Sequence, residues 1–143
     1  MAITSAICNS FKTEILTAVH NFTASSGDTF NLALYTSSAT INKSTTAYSA
    51  TNEISGTGYT AKGKALTSVT PVLDSDTAVC DFSDTSWTSA SFTANGCMIF
   101  NDDASGDPSC CTIAFGGDKT VTSGTFTIEF PAAAASTAII QLA

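Results

Sequence analysis

The chain has 143 residues, a length typical of one domain, and it carries five Lys, no Arg and twelve acidic residues, for a formal net charge of −7. Binding to nucleic acid or to an anionic membrane requires clustered positive charge, and here the few Lys are scattered, so we expect neither partner. No apolar run reaches the length of a membrane span.

Hydroxyl groups replace charges as the solvating groups of this chain. Only 12% of the residues are charged, whereas 24 are Thr and 19 are Ser. Thr favours strands because its branched Cβ suits a pleated surface. Such a composition is typical of extracellular β-domains and of virion proteins.

Residues 4–22 predict an amphipathic helix. Thr4 or Ser5 can cap its start. Its apolar side chains recur at steps of three or four and share one face, which Cys8 and Leu16 widen. We expect that face to pack on a sheet or on a neighbouring subunit.

A strand and a long irregular segment follow the helix. Over residues 29–36, Phe30, Leu32 and Leu34 alternate with other residues, the period of a strand. Residues 37–64 are rich in Ser, Thr, Ala and Gly and show no periodicity apart from a possible short strand over 58–65. Because long loops are usually functional or disordered, we interpret this segment as an extended loop or arm.

From residue 65 onward the chain is a series of short strands separated by turn sequences. Asn95-Gly96 is a strong hairpin signal, but alternation continues through it, which favours one long strand or a bulge. Gly116–Lys119 predicts a turn. The predicted strands cover 67–73, 77–82, 87–94, 110–115, 124–130 and 138–142.

These elements predict a mainly β fold, either an antiparallel β-sandwich or a barrel-like domain, with one N-terminal amphipathic helix. We expect a single domain over residues 1–143, whose β-core comprises 29–36 and 65–143.

Candidate catalytic groups are few. His20 is the only histidine, and at a helix end a surface position favoured by the helix dipole is the simpler interpretation. The five Cys residues contain no C-x-x-C pair, and the N-terminus shows no secretory signal pattern. We therefore expect reduced, buried thiols, synthesis in a cytoplasm, no enzymatic activity and no cofactor.

The turn around Gly106 is the one candidate metal site. Asp102, Asp103 and Asp107 could supply oxygen ligands to calcium. The spacing of a helix–loop–helix calcium site and its terminal Glu are absent, which favours a solvated turn, although calcium remains open.

Several segments resemble small virion proteins of tailed bacteriophages. The resemblance covers nearly the whole chain, and it is carried by AICNSFKTEIL (Ala6–Leu16), FNLALYTSSAT (Phe30–Thr40), TTAYSATNEISGTGYTAKGKALT (Thr45–Thr67), VCDFSDTSWTSASFTANGCMIFN (Val79–Asn101) and FGGDKTVTSGTFTIEFP (Phe115–Pro131). It implies a non-enzymatic component of the virion and transfers no catalytic residues.

A short, acidic, β-rich virion protein suits capsid decoration, in which a cement protein binds the outer shell and bridges neighbouring capsomers. We expect the major capsid protein or other virion proteins as partners, and a homotrimer or other homo-oligomer. Tyr35, Tyr48, Ile54 and Tyr59 are the predicted apolar anchors of the interface, although internal packing of the same residues is nearly as plausible. A neck, tail or fibre protein and a carbohydrate-binding adhesion module are the alternatives.

Overall fold

A computed structural model describes residues 2–143. Within that range the chain forms two antiparallel sheets and one short helix, a sandwich-like arrangement that confirms the predicted fold class. In chain order the elements are β1 (Ala6–Ile7), α1 (Asn9–Leu16), β2 (Phe30–Tyr35), β3 (Lys64–Ala65), β4 (Ser68–Asp74), β5 (Thr77–Phe82), β6 (Thr85–Asn101), β7 (Ser109–Ile128) and β8 (Ile140–Leu142).

The larger sheet has the strand order β1-β7-β6-β2-β3, and the smaller one has the order β4-β5-β8. The main core includes Phe82 of β5, Trp87 and Phe92 of β6, and Phe11 of α1. Burial of each such ring contributes about 2 kcal/mol to folding. The small sheet and the helix are therefore held to the large sheet by one continuous apolar interior.

β2 is buried on both faces. Leu32 and Leu34 pack in the main core, whereas Ala33 and Tyr35 pack in a second cluster with Met98. Alternation along β2 thus divides its side chains between two apolar layers, not between core and solvent. The sequence predicted the strand but not the second layer.

The predicted helix over residues 4–22 is wrong at both ends. Before α1, Ala6 and Ile7 pair with Thr112 and Cys111 of β7, so the large sheet takes residues that would otherwise form the first helical turn. After α1, Ala18 has a φ of 60°, which ends the helix. Leu16, predicted on the apolar face, is 86% exposed.

β6 and β7 form one long curled ribbon. β6 runs through Asn95-Gly96, as the alternation favoured. The turn predicted at Gly116–Lys119 is wrong, because β7 continues through it. Between the pairs Ala94–Lys119 and Gly96–Ala114, one residue of β6 faces four of β7, so the glycines form a bulge instead of a reversal.

Residues 37–64 are irregular, as predicted, but they do not project as an arm. Isolated bridges join Glu53 to Tyr35 and Thr57 to Ser91. Ala39 and Ile41 are buried in the second apolar cluster. The strand predicted over 58–65 shrinks to β3, which pairs with β2. The segment is therefore a cover over the sheet.

We expect Gly63→Ala to destabilise the fold by more than about 3 kcal/mol. Gly63 has a φ of 69°, and an added Cβ would lie 1.8 Å from the carbonyl oxygen of Leu32. Gly116→Ala is the matched control, since its φ is 76° and no atom lies within 4 Å of the added Cβ. The control should lose only about 1 kcal/mol, the cost of the left-handed backbone. Urea unfolding measures both variants, and equal losses would contradict the packing of β3 on β2.

Candidate interaction surface

The predicted anchor residues lie inside the domain. Tyr35 is fully buried and Ile54 is 5% exposed, so neither offers a surface to a partner, and their prediction as interface anchors is corrected. Tyr48 and Tyr59 are half-buried, and each packs against an apolar cluster. The prediction failed because periodicity gives no information on how an irregular segment folds back over a sheet.

Glu53 is the polar centre of residues 37–64, which we call the cover segment. Its carboxylate accepts hydrogen bonds from the hydroxyl groups of Tyr48 (2.6 Å) and Tyr59 (2.7 Å) and from the backbone N–H of Lys62 (2.8 Å). The Tyr59 oxygen also accepts from the backbone N–H of Leu34 in β2. The charge-assisted bonds to Glu53 hold the segment together internally, and the bond from Leu34 joins it to β2.

The three tyrosines are held in their neutral form. Burial, followed by the hydrogen bond to the Glu53 carboxylate, raises the pKa of Tyr48 to about 12. Burial likewise raises the pKa of Tyr35 and of Tyr59 well above the usual range. The low-dielectric surroundings of these hydroxyl groups disfavour the phenolate.

Lys62 forms ion pairs with two carboxylates of the acidic turn. Its ammonium group lies 2.8 Å from the Asp102 carboxylate and 2.9 Å from that of Asp107. It also lies 5.8 Å from the ring centroid of Tyr48. Two of the three candidate calcium ligands thus converge on a cation that the chain itself supplies, and the third, Asp103, accepts a hydrogen bond from the backbone N–H of Thr29. Throughout the described ranges, no three His, Cys, Asp or Glu side chains group so as to hold a metal ion.

His20 is buried, contrary to the predicted surface position. Its Nε2 lies 2.8 Å from the Glu14 carboxylate, and its Nδ1 lies 3.2 Å from Asn101 Nδ2. The Asn101 oxygen accepts from the N–H groups of Asp103 and Ala104, which orients the amide so that its nitrogen donates to Nδ1. His20 therefore carries its proton on Nε2 and ties the end of α1 to β6.

Cys110, His20 and Glu14 lie in the order of a nucleophile, a base and an orienting acid. Cys110 Sγ is 4.0 Å from His20 Nδ1. Burial raises the pKa of the Cys110 thiol well above its usual range, and the side chain is fully buried. Because the thiolate is the reactive form, burial disfavours nucleophilic reactivity of Cys110.

An apolar groove runs beside the second half of β7. We call it the β7 groove. It consists of two adjoining hollows of about 370 Å³ and about 330 Å³ that share Phe115, Thr127 and Ile128. Lys119 and Phe126 line the first hollow, and Phe130 lines the second. Curling of the ribbon creates the groove, since it brings the ring centroids of Phe115 and Phe126 within 6.3 Å.

The outer edge of β7 beside the groove has no strand partner in the described part of the chain. β1 pairs only with Cys111 and Thr112, so beyond them β6 flanks β7 on one side alone. Positive φ values at Gly116 and Ser123 interrupt the edge. Such interruptions protect an edge from indiscriminate pairing and leave Gly124–Ile128 as a regular open stretch.

A second apolar surface lies on the small sheet. Leu73, Ala78 and Leu142 are direct cross-strand neighbours, and we call them the Leu73 row. Cys80 and Ile140, two positions further along, are paired and buried in the core. Because side chains alternate, the row continues the core-facing side of the sheet out to solvent. Leu73 is 71% exposed and Leu142 is 53% exposed.

The sequence contained a signal for the groove but not for its position. The alternation of Phe126, Ile128 and Phe130 predicted an apolar strand face, and the structure places those side chains only partly in the core. These side chains are incompletely covered because the ribbon curls, and no local sequence pattern predicts that curl.

Comparison of the chain with family models, with curated proteins and with solved structures finds no match. No helix within residues 2–143 combines the length and the apolar character that crossing a membrane demands.

We expect alkaline pH to unfold the protein in parallel with ionisation of its tyrosines. A tyrosine whose pKa is raised on folding stabilises the protein fully below pH 10.0, the ordinary value, and Tyr48 loses that contribution as the pH rises through about 12. Urea midpoints and tyrosinate absorbance across this range measure the effect. In Tyr48→Phe the loss of stability over this range should be smaller. Ordinary titration of all tyrosines in a chain that remains folded would contradict this account.

We expect the five thiols to be unreactive in the folded protein. All five Cys residues are free and buried, and burial raises the pKa of Cys80 and of Cys111 to about 12. A thiol reagent such as dithionitrobenzoate should label the folded chain slowly and label five thiols after unfolding. Thr13→Cys, on the exposed face of α1, is the control that should react at once. Rapid labelling of a native thiol would reveal an accessible nucleophile.

Proposed function

We propose that this chain is a non-enzymatic structural protein of a tailed-bacteriophage particle, a capsid decoration or cement protein that binds the outer shell and stabilises contacts between capsomers. The observation that carries the proposal is the presence of two solvent-facing apolar surfaces, the β7 groove and the Leu73 row, on a domain that buries its reactive side chains. Contiguous apolar patches on a small soluble domain mark interaction sites. The resemblance of Phe30–Thr40 and Val79–Asn101 to small virion proteins is the reason for assigning the chain to a phage particle.

Burial of the reactive groups supports a structural role. The His20 side chain is enclosed between Glu14 and Asn101, and the Cys110 thiol lies behind it. An enzyme needs its nucleophile or base to face a site that a substrate can enter. Here His20 and its partners hold α1 to the large sheet. The surface carries hydroxyl groups together with the β7 groove and the Leu73 row.

Multivalency explains how a domain of this size can reinforce a shell. Each copy buries a modest area against its neighbours, and a single such contact is weak. Many copies on one shell act together, since each bound copy raises the effective concentration of the next contact. The partners are then the major capsid protein and sister copies, in a homotrimer or other homo-oligomer located on the virion.

A neck, tail or fibre position is the remaining alternative within the same class, and copy number separates it from decoration. A carbohydrate-binding module has less support, since every aromatic side chain between residues 2 and 143 is buried or half-buried. Glycan-binding modules commonly use an exposed ring as a platform, and Trp87 is in the core.

Copy number on purified particles tests the proposal. Quantitative mass spectrometry of particles from the phage that encodes the chain should find on the order of hundreds of copies, in fixed ratio to the major capsid protein. A number that matches a tail axis would assign the chain to the tail instead. Protein that is abundant in infected cells but absent from purified particles would refute a virion role.

Added purified chain should also bind particles that lack it, with saturation at the same ratio. Particles already carrying the protein are the matched control and should bind none, because their sites are filled.

A further inference from the structure

We propose that the Leu73 row of one copy docks in the β7 groove of a second copy, so that copies associate head to tail. This inference deepens the proposed function, on which it rests for its place in the particle, by naming the contact between sister subunits. Its occupant is a second copy of this chain because the two surfaces complement each other in shape and in charge.

The two surfaces are complementary in shape, because the Leu73 row forms a ridge and the β7 groove forms a hollow. Leu73 and Leu142 project from the end of the small sheet, whereas Phe115, Phe126 and Ile128 form the apolar walls of the groove. A hollow of about 370 Å³ holds on the order of ten waters. Replacing water between apolar walls by leucine side chains is favourable.

The charge complement places a cation at the groove and carboxylates beside the row. Lys119 is the only charged residue that lines the first hollow of the groove, and within residues 2–143 it takes part in no ion pair, whereas Glu129 lines the second hollow. Asp74 and Asp76 flank the turn that directly follows Leu73, and that turn contains no cation. Docking of the row therefore brings acidic groups to an unpaired ammonium.

Charge also explains why the contact would be selective. At a net charge of −7, two copies repel each other in most orientations. The orientation that brings Asp76 of one copy to Lys119 of another offsets this repulsion locally. Complementary charges of this kind fix the register of an interface more than they add affinity.

Two different surfaces on one chain produce a directional contact. Such heterologous contacts close into a ring when the rotation between neighbours permits, and otherwise they form open chains. A ring of three would match a local three-fold point on a shell. The angle between the β7 groove and the Leu73 row sets that number.

Cross-linking identifies the occupant. A photoreactive benzoylphenylalanine at position 73 should cross-link, in a mixture of isotope-labelled and unlabelled full-length chains, to peptides containing Phe115 or Ile128 of a different copy. Cross-links to another part of the second copy, or no cross-link between copies, would overturn the proposal.

Sedimentation equilibrium measures the contribution of the row. Leu73→Ser should weaken self-association about tenfold or more, since it removes one buried leucine from the contact. Leu16→Ser is the matched control, because Leu16 is the most exposed large apolar side chain and lies on α1, outside both surfaces. It should leave association unchanged. Wild-type protein that stays monomeric at millimolar concentration would overturn the proposal.

A charge exchange separates this contact from nonspecific adhesion. Lys119→Glu should weaken association, and the double variant Lys119→Glu/Asp76→Lys should restore it. Circular dichroism and urea midpoints verify that every variant is folded. Failure of the double variant to recover association would overturn the assigned orientation.

The result is distinguishable from that of the particle experiment. A chain present in many copies on particles but monomeric in solution, and cross-linked through position 73 only to the capsid protein, would retain the decoration role and overturn the self-association. A chain that forms rings in solution but is missing from particles would retain the self-association and overturn the decoration role.

Discussion

Pairing of β6 with β7 is the constraint on which the rest of the structure depends. β6 contributes Trp87 and Phe92 to the main core and Met98 and Phe100 to the second cluster, so both apolar layers are built on one strand. The ribbon must curl for its first half to cover part of its second. That curl needs the bulge at Gly116-Gly117, where backbone angles are ones that glycine adopts at little cost.

The cover segment shows how a chain with few charges can hold a long irregular stretch in place. Residues 37–64 contain little regular pairing, yet two charged side chains, Glu53 and Lys62, satisfy several polar groups at once. The partners of Glu53 lie within the segment, whereas Lys62 contacts Asp102 and Asp107, which lie outside it. Since a polar group that is buried without a partner costs more than a formed hydrogen bond gains, the two residues contribute specificity as well as stability.

The sequence predicted the fold class and most strands because periodicity records which side chains face an interior. Phe30–Tyr35 and Thr77–Phe82 are strands as predicted, and the long alternation through Asn95-Gly96 forms one strand. The prediction failed where long-range pairing overrode a local signal. Ala6–Ile7 has a helical pattern but pairs with β7, and Gly116–Lys119 has turn composition but forms a bulge inside a ribbon.

The candidate site could not be predicted for the same reason. Tyr48, Ile54 and Tyr59 of the irregular segment and Tyr35 at the end of the preceding strand were selected as aromatic or aliphatic residues, and all four pack against the apolar clusters. Leu73 looked like an ordinary member of a short strand. Which apolar rows are covered depends on the extent of the two sheets and on the curl of the β6–β7 ribbon, and both are properties of the assembled tertiary structure.

The two apolar surfaces have a common physical origin. The Leu73 row lies where the small sheet extends past its core, and the β7 groove lies where a curled strand lacks a neighbour on its outer side. Each is an extension of the interior that the domain leaves uncovered. Closing both by contact within a single copy would require a further strand, whereas in the proposed contact a neighbouring copy would cover them without lengthening the chain. A net charge of −7 opposes most contacts between copies, and aligning Lys119 with an acidic partner would offset that repulsion locally.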